Sequence, residues 1–229
     1  LMANLDQVVA VQSVRDPAPQ RGLVDRLLVA AERFGVAGVL VLNKCDLAEE
    51  PEQAARWEHY RALGYVVLRT SAETGEGIDA LRDVLSGRIS LLLGVSGVGK
   101  SSLLNALQPG LDLRVGDVTA KTGLGRHTTT ASELFPLACG GYIADSPGIR
   151  GFDPWDVDPR DAGTYFPDFA DAAAACRFRD CLHRGETDCG VKAAVAAGEV
   201  PRWRHQAYLD LLKDLEERRE RAGPQRNKP

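Results

Sequence analysis

The chain has 229 residues, 44% of them hydrophobic and 26% charged, and a net charge of −4. That length holds one substantial core and at most a small appendage, and the acidic balance argues against a protein that coats nucleic acid over its whole surface, while leaving room for a local basic face. No apolar run approaches the roughly 18 to 20 residues that cross a bilayer, and the opening LMANLDQVVAVQSVRDP lacks the basic start and small-residue cleavage site of a secretion signal; together these read as a cytoplasmic protein with no membrane partner.

In chain order, QVVAVQSV at residues 7–14 is a β-branched apolar run that stops at DPAP and reads as a buried strand. Leu23, Leu27, Leu28, Ala31 and Phe34 recur at helical spacing until Gly35. VAGVLVLNKCD is a second strand whose carboxyl end delivers a polar cluster. A helix over about 51–63, with Pro51 near its start and Gly64 after its end, leads to the strand YVVLRTSA at 65–72. The helix GIDALRDVLSG follows, then the strand ISLLL at 89–93, a glycine-rich loop, and the helix KSSLLNAL, which Pro109-Gly110 ends. Residues 111–130 are polar and aperiodic and read as a mobile loop, and ASELFPLACGGYIADSPG reads as two strands joined around Gly140-Gly141. Beyond about 155 the chain becomes helical and cysteine-bearing, and the tail ERRERAGPQRNKP reads as a solvated, frayed end. The alternation predicts an α/β fold, a mostly parallel sheet with helices on both faces, over 1–154, and a small, mostly helical domain over 155–229.

The glycine-rich loop GVSGVGKS, from Gly94 through Val95, Ser96, Gly97, Val98 and Gly99 to Lys100 and Ser101, fits the pattern G-x-x-x-x-G-K-[ST] and is followed by Ser102. Its glycines let backbone N–H groups turn inward on phosphates, Lys100 reaches the β- and γ-phosphates, the Ser101 hydroxyl ligates Mg²⁺, and the helix behind adds its positive end. Such a loop cannot distinguish ATP from GTP. NKCD, Asn43, Lys44, Cys45 and Asp46, supplies the distinction: the Asp46 carboxylate can accept from the guanine ring N–H and exocyclic amine, a pattern adenine does not present. Asn43 would brace the site and the stem of Lys44 would lie on the base. Four residues alone also fit an ordinary strand-end turn, but TSA follows the next strand, with Ser71 and an Ala72 N–H placed to meet the guanine O6.

DSPG, residues 145–148, matches D-x-x-G, in which Asp145 would hold Mg²⁺ through water and the Gly148 N–H would touch the γ-phosphate; a plain proline turn is the other reading. Between the two motifs GLGRHTTT is placed as a first switch, with one of Thr128, Thr129 and Thr130 giving a hydroxyl to Mg²⁺; Thr129 is the candidate taken forward. A Ras-like GTPase places a glutamine after the D-x-x-G glycine, but Ile149 stands here and cannot orient a water. Intrinsic hydrolysis should be slow unless His127 orients that water; a solvent-facing loop histidine is the alternative.

These motifs run base reader, TSA, phosphate loop, switch, DSPG, and rotating the series restores the usual order, so the expected fold is a circularly permuted P-loop GTPase domain. After it comes Cys176-x4-Cys181-x-His183-x5-Cys189, three thiolates and an imidazole within 14 residues, which suits one closed, structural tetrahedral zinc site.

With ANLDQ, NKCDL, GVSGVGKSSLLNAL, GRHTTT, DSPGIRGF and CRFRDCLHRGETDCGVKAAV in place, the chain resembles the ribosome small-subunit-dependent GTPase family of permuted bacterial GTPases. The resemblance implies GTP hydrolysis to GDP stimulated by the small ribosomal subunit, a role in its late maturation, and contact with its rRNA; a monomer is expected. The family's OB-fold would precede ANLDQ, where only Leu1-Met2 stand. A chain lacking that domain, by truncation or natural absence, should bind the ribosome less tightly with its nucleotide chemistry intact. Arg177, Arg179, Arg184, Lys192, Arg202 and Arg204, with Trp203 and His205 interleaved, could touch RNA, although Asp180, Glu186, Asp188 and Glu199 favour a solvated mixed face. Trp203, Tyr208, Leu211, Leu212 and Leu215 read as core. Two rival functions remain: a zinc-stabilised RNA-binding module that uses nucleotide only as a switch, and a permuted GTPase serving another ribosomal partner.

Overall fold

The computed structural model describes residues 4–20, 22–110, 133–145 and 157–222. Contacts group Leu1–Gln20 with Phe34–Phe152 in one compact unit, and Arg21–Arg33 with Asp153–Pro229 in a second. Among the described residues no helix is long and apolar enough to cross a membrane.

The elements of the first part of the chain are β1 (Gln7–Ser13), α1 (Leu23–Phe34), β2 (Ala37–Asn43), α2 (Pro51–Ala62), β3 (Val66–Arg69), α3 (Ile78–Leu85), β4 (Ile89–Leu93), α4 (Lys100–Leu107), β5 (Glu133–Pro136) and β6 (Tyr142–Asp145). Six strands form one sheet in the order β3-β2-β1-β4-β6-β5, all parallel except β5, which runs antiparallel to β6. β1 is buried at every residue, as a parallel strand covered on both faces must be. On one face Val9, Val11, Val39, Val41, Leu92 and Ile143 pack with Ile78, Leu81 and Leu85 of α3 and Leu103, Leu104 and Leu107 of α4.

Two polar residues fasten the amino end of β1. Asp6 exchanges backbone hydrogen bonds with Ile89 and Ala37 and its carboxylate accepts from the Ile89 N–H at 2.7 Å. The fully buried Gln7 donates to the Val84 carbonyl at 2.9 Å and the Ser90 hydroxyl at 2.8 Å, while accepting from Arg88 at 2.9 Å. The DQ of ANLDQ therefore serves the end of the sheet opposite to the polar motifs. The strand expected at 65–72 stops at Arg69: the Thr70 N–H still bonds the Leu42 carbonyl of β2, but the Ser71 N–H turns to the Glu76 carbonyl.

The second unit contains 3₁₀ turns at Ala162–Tyr165 and Pro167–Phe169, α5 (Ala170–Ala174), α6 (Gly190–Ala197) and α7 (Arg202–Ala222), besides nearly all of α1. Its core includes Val29, Phe166, Phe169, Val191, Tyr208, Leu211, Leu212 and Leu215. Trp203, expected with them, is only half-buried. The supposed frayed tail is helical through Ala222, with Arg219 paired to Asp158 at 3.1 Å.

Arg204 overturns its reading as an RNA-facing residue. It is 0% exposed, donates to both Asp168 oxygens at 3.1 and 3.2 Å and to Asp25 of α1, and lies 4.3 Å over the Phe166 ring. Removing the cation would take the guanidinium away from two buried carboxylates. Arg204→Ala is expected to destabilise this unit by about 3–5 kcal/mol, read as a lower urea midpoint in far-ultraviolet circular dichroism; an unchanged midpoint would show that the pair is dispensable.

Candidate nucleotide site and metal centre

Parallel strands bring their carboxyl ends to one edge of the sheet, and the motifs are attached there. Asn43 ends β2 opposite Ser13 of β1, Ser71 and Ala72 follow β3, Gly94 follows β4, and Asp145 ends β6. The chain runs outward from β1 through β2 to β3 and then returns to the other side of β1 as β4. The phosphate loop thus leaves the sheet beside the point where strand order reverses, the usual crevice for ligands in such folds.

Asn43 connects three loops. Its buried amide donates to the Val98 carbonyl at 2.9 Å, and its oxygen accepts from the Ala72 N–H and the Thr70 hydroxyl, both at 3.3 Å. Thus the Ala72 N–H assigned to a guanine oxygen is directed at Asn43. Ser71 donates to the Asp46 carboxylate at 2.5 Å and accepts from the Thr74 N–H at 3.1 Å, leaving Asp46 exposed but oriented. Lys44 has φ +60° and its ammonium donates to the Asp16 carbonyl. Burial raises the Cys45 thiol above its ordinary pKa, against the Arg69 charge, so at neutral pH it is a packing group.

In the phosphate loop Gly94 is required by proximity, since a Cβ there would lie 2.3 Å from the Val11 carbonyl oxygen. Gly99 has φ +95°, and its Cβ would lie 2.3 Å from the Asn43 amide nitrogen. Val95, Ser96 and Gly97 form the outer part of the loop, and Val98 is buried. Lys100 and Ser101 begin α4 and are buried; the Lys100 ammonium donates to the carbonyls of Gly94 at 2.7 Å and Val95 at 3.0 Å. Ser102 is half-buried on the same first turn. His127, Thr128, Thr129, Thr130, Gly148 and Ile149 lie outside the described residues, and of Asp145 only the backbone at the end of β6 is described.

Sequence reasoning missed the segment after β1. The buried Ser13 hydroxyl donates to the Pro17 carbonyl at 2.7 Å, which folds the turn so that Asp16 holds Lys44 and the Pro17 ring stands 3.4 Å from where a Gly97 Cβ would be. The only signal in the sequence was a DP turn at the end of a strand.

In the second unit the ligand atoms of Cys176, Cys181, His183 and Cys189 all lie within 4.8 Å of one another. Metal–sulfur bonds of about 2.3 Å and metal–nitrogen bonds of about 2.0–2.1 Å give a tetrahedron with S···S edges near ~3.8 Å and S···N edges near ~3.5 Å. The Cys176–Cys189 separation is 3.9 Å, and both sulfurs lie 3.5 Å from His183 Nδ1. The donor set therefore fits zinc. Burial opposes ionisation of Cys176, but the Val191 and Gly190 N–H groups and the neighbouring thiols outweigh it and hold its pKa low. Cys181 is pushed up to about 12 by burial and by the other two thiols, and burial keeps His183 neutral. Cys189 is the N-cap of α6 and accepts from the Lys192 N–H.

The loop bearing His183, at φ +54°, is held from outside. Glu186, counted from sequence as a surface acid, accepts from the N–H groups of Leu182 at 2.8 Å, Arg184 at 2.9 Å and Gly185 at 3.0 Å. Tyr208 donates to the Leu182 carbonyl at 2.8 Å, and His205 Nε2 lies 2.8 Å from the His183 carbonyl oxygen.

A sequence model of the RsgA GTPase family matches residues 1–155. The chain belongs to that family. It is 46% identical to the small ribosomal subunit biogenesis GTPase RsgA of Gemmatimonas aurantiaca, over 94% of this chain and 70% of the relative. It is 45% identical to the RsgA of Moorella thermoacetica, over 93% and 73%. The crystal structure of YjeQ from Thermotoga maritima superposes with a TM-score of 0.78 at 40% identity, over 94% of this chain and 73% of that one. That of YloQ, described as a circularly permuted GTPase, superposes with 0.72 at 33%, over 94% and 70%. The fold is accordingly a circularly permuted P-loop GTPase of the RsgA family, and the protein is a GTP-hydrolysing enzyme.

Gly99→Ala would force a left-handed alanine against the Asn43 amide. GDP affinity, measured by calorimetry, is expected to fall at least tenfold, equivalent to a loss of about 1.4 kcal/mol, with the circular dichroism spectrum retained. Wild-type affinity would show that Asn43 need not reach this loop.

Proposed function

We propose that the protein hydrolyses GTP to GDP and phosphate under the control of the small ribosomal subunit, as a late maturation factor of that subunit acting in the cytoplasm as a monomer. The observation that carries this reading is the Asn43 side chain, which joins the base-reading loops to the phosphate loop at one sheet edge. Similarity to proteins named small ribosomal subunit biogenesis GTPases supports the partner.

In this reading Asp46, oriented by Ser71, accepts from the guanine N–H groups, and the stem of Lys44 lies along the base with its ammonium held by Asp16. The loop N–H groups from Gly94 to Ser101, with Ser102 behind, surround the phosphates. Lys100 exchanges its two carbonyl partners for β- and γ-phosphate oxygens as GTP enters. The Ser101 hydroxyl, a switch threonine for which Thr129 is our candidate, and Asp145 would hold Mg²⁺, which would supply charge neutralisation on the phosphates. Water attacks the γ-phosphorus, the bond to the β-phosphate oxygen breaks, and the water's proton ends on the released phosphate; GDP leaves with its new charge facing Lys100. Gly148 senses the γ-phosphate and His127 orients the water in place of the glutamine that Ile149 replaces. Cys176, Cys181, His183 and Cys189 hold one structural zinc, and the second unit contacts rRNA.

GTP turnover is expected to rise strongly with purified small subunits and to stay basal with large ones; no response to small subunits would overturn the assigned partner. Lys100→Ala should abolish turnover, and if it leaves ribosome binding intact the switch-only module is excluded. Metal analysis should find one zinc per chain, lost in Cys181→Ala; a metal-free folded protein would remove the zinc assignment.

A further inference from the structure

Among the described residues of the second unit, Phe178 is the one large apolar side chain left exposed, at 43%, whereas Phe166 and Phe169 are 1% and 0% exposed. It adds little to the core, so its ring is not explained by folding. Its support is unusually firm for an exposed residue. Phe178 lies between the clustered ligands Cys176 and Cys181, its carbonyl accepts from the Cys181 N–H at 3.3 Å, and the preceding Arg177 is tied to Asp188 through the backbone at 3.1 Å and the side chain at 3.2 Å. The Arg177 guanidinium sits 5.4 Å from the centre of the Phe178 ring, within the range of a cation–π contact. Among the described residues no other ring packs on Phe178, so the ring is backed by a planar cation and keeps 43% of its surface exposed. Arg179, the next residue in the chain, is exposed and makes no ion pair with a described residue.

We propose that Phe178 is a stacking platform for one unpaired base of ribosomal RNA, with Arg179 against the adjoining phosphate; this rests on the ribosomal reading above. A flat ring on a pre-ordered loop loses little freedom when a base lies on it, and base–aromatic stacking with a guanidinium alongside is how single strands are held without sequence preference. A protein partner is the poorer match, because a single exposed ring falls far short of the roughly 1,000 Å² that a specific protein interface buries. Asp188 neutralises Arg177, and Asp180 stands next to Arg179. The ring, rather than counterion release, must therefore supply most of the gain.

The test is equilibrium binding of the full chain, with a non-hydrolysable GTP analogue, to purified small subunits over a salt series. Phe178→Ala is expected to weaken binding about 5- to 150-fold, the range that stacking losses give, with the salt slope, zinc content and GDP affinity unchanged and with recovery in Phe178→Trp. Arg179→Ala should instead reduce the salt slope by about one. A photocrosslinking phenylalanine analogue at 178 should label RNA. Undiminished binding by Phe178→Ala, or a crosslink to a ribosomal protein, overturns the platform while leaving the ribosomal reading intact. Absence of binding by the wild-type chain would overturn both.

Discussion

A parallel strand can be followed by another only after the chain has crossed back, so every carboxyl end in such a sheet faces the same edge. That constraint makes the permuted order workable. Asn43, Ala72, Gly94 and Asp145 arrive from β2, β3, β4 and β6, and the edge they share is fixed by strand direction rather than by which strand is made first. The register tightens this further: β1 pairs with β2 along its whole length and with β4 from Gln7↔Ser90 to Ala10↔Leu93, so the end of β1 extends beside the start of the phosphate loop. The contact between Gly94 and the Val11 carbonyl follows from that overlap.

Strand direction brings the loops near one another; buried polar groups then hold them together. A buried amide has to spend its donors and acceptor or suffer the full cost of desolvation. Asn43 spends them on Val98, Thr70 and Ala72, members of the phosphate loop and the second base-reading loop. Ser13 works similarly one strand away, closing the turn that carries Asp16 and Pro17. The base half and the phosphate half of the site are therefore parts of one hydrogen-bonded assembly, and Gly99 must lack a side chain because Asn43 occupies that space.

The sheet was legible because its signals are local. β4 and α4 have the limits that ISLLL and KSSLLNAL suggested, and the turn at Gly140-Gly141 joins β5 to β6. What escaped were pairings between residues far apart in sequence. Asp25 and Arg204 are 179 positions apart, and a sequence that shows each as a charged residue near a helix start gives no sign that both are buried. Glu186 looked like one of several surface acids, yet three N–H groups converge on it, because a loop that turns through a left-handed histidine leaves them without helical partners. The end of α7 read as frayed because ERRERA has no apolar period, yet Arg219 reaches Asp158, 61 positions away, and the Arg160 guanidinium and Arg219 hold that carboxyl at about 2.

The two clusters divide the chemistry between them. At the sheet edge Asp46 is exposed and aimed by Ser71, and Lys100 donates to carbonyls of its own loop. In the Cys/His cluster the donors face one another, and a tetrahedral ion held by all four would have no position left for water or substrate. Its role would then be mechanical. Cys176 and Cys181 adjoin the core and Cys189 belongs to it, so the cluster ties short loops to a unit whose helices α5 and α6 span only five and eight residues. Helices so short have little stability of their own. A metal tie there would fix the loop tip at Phe178 without asking it to join the core, and so let an apolar ring stand in solvent on an ordered backbone.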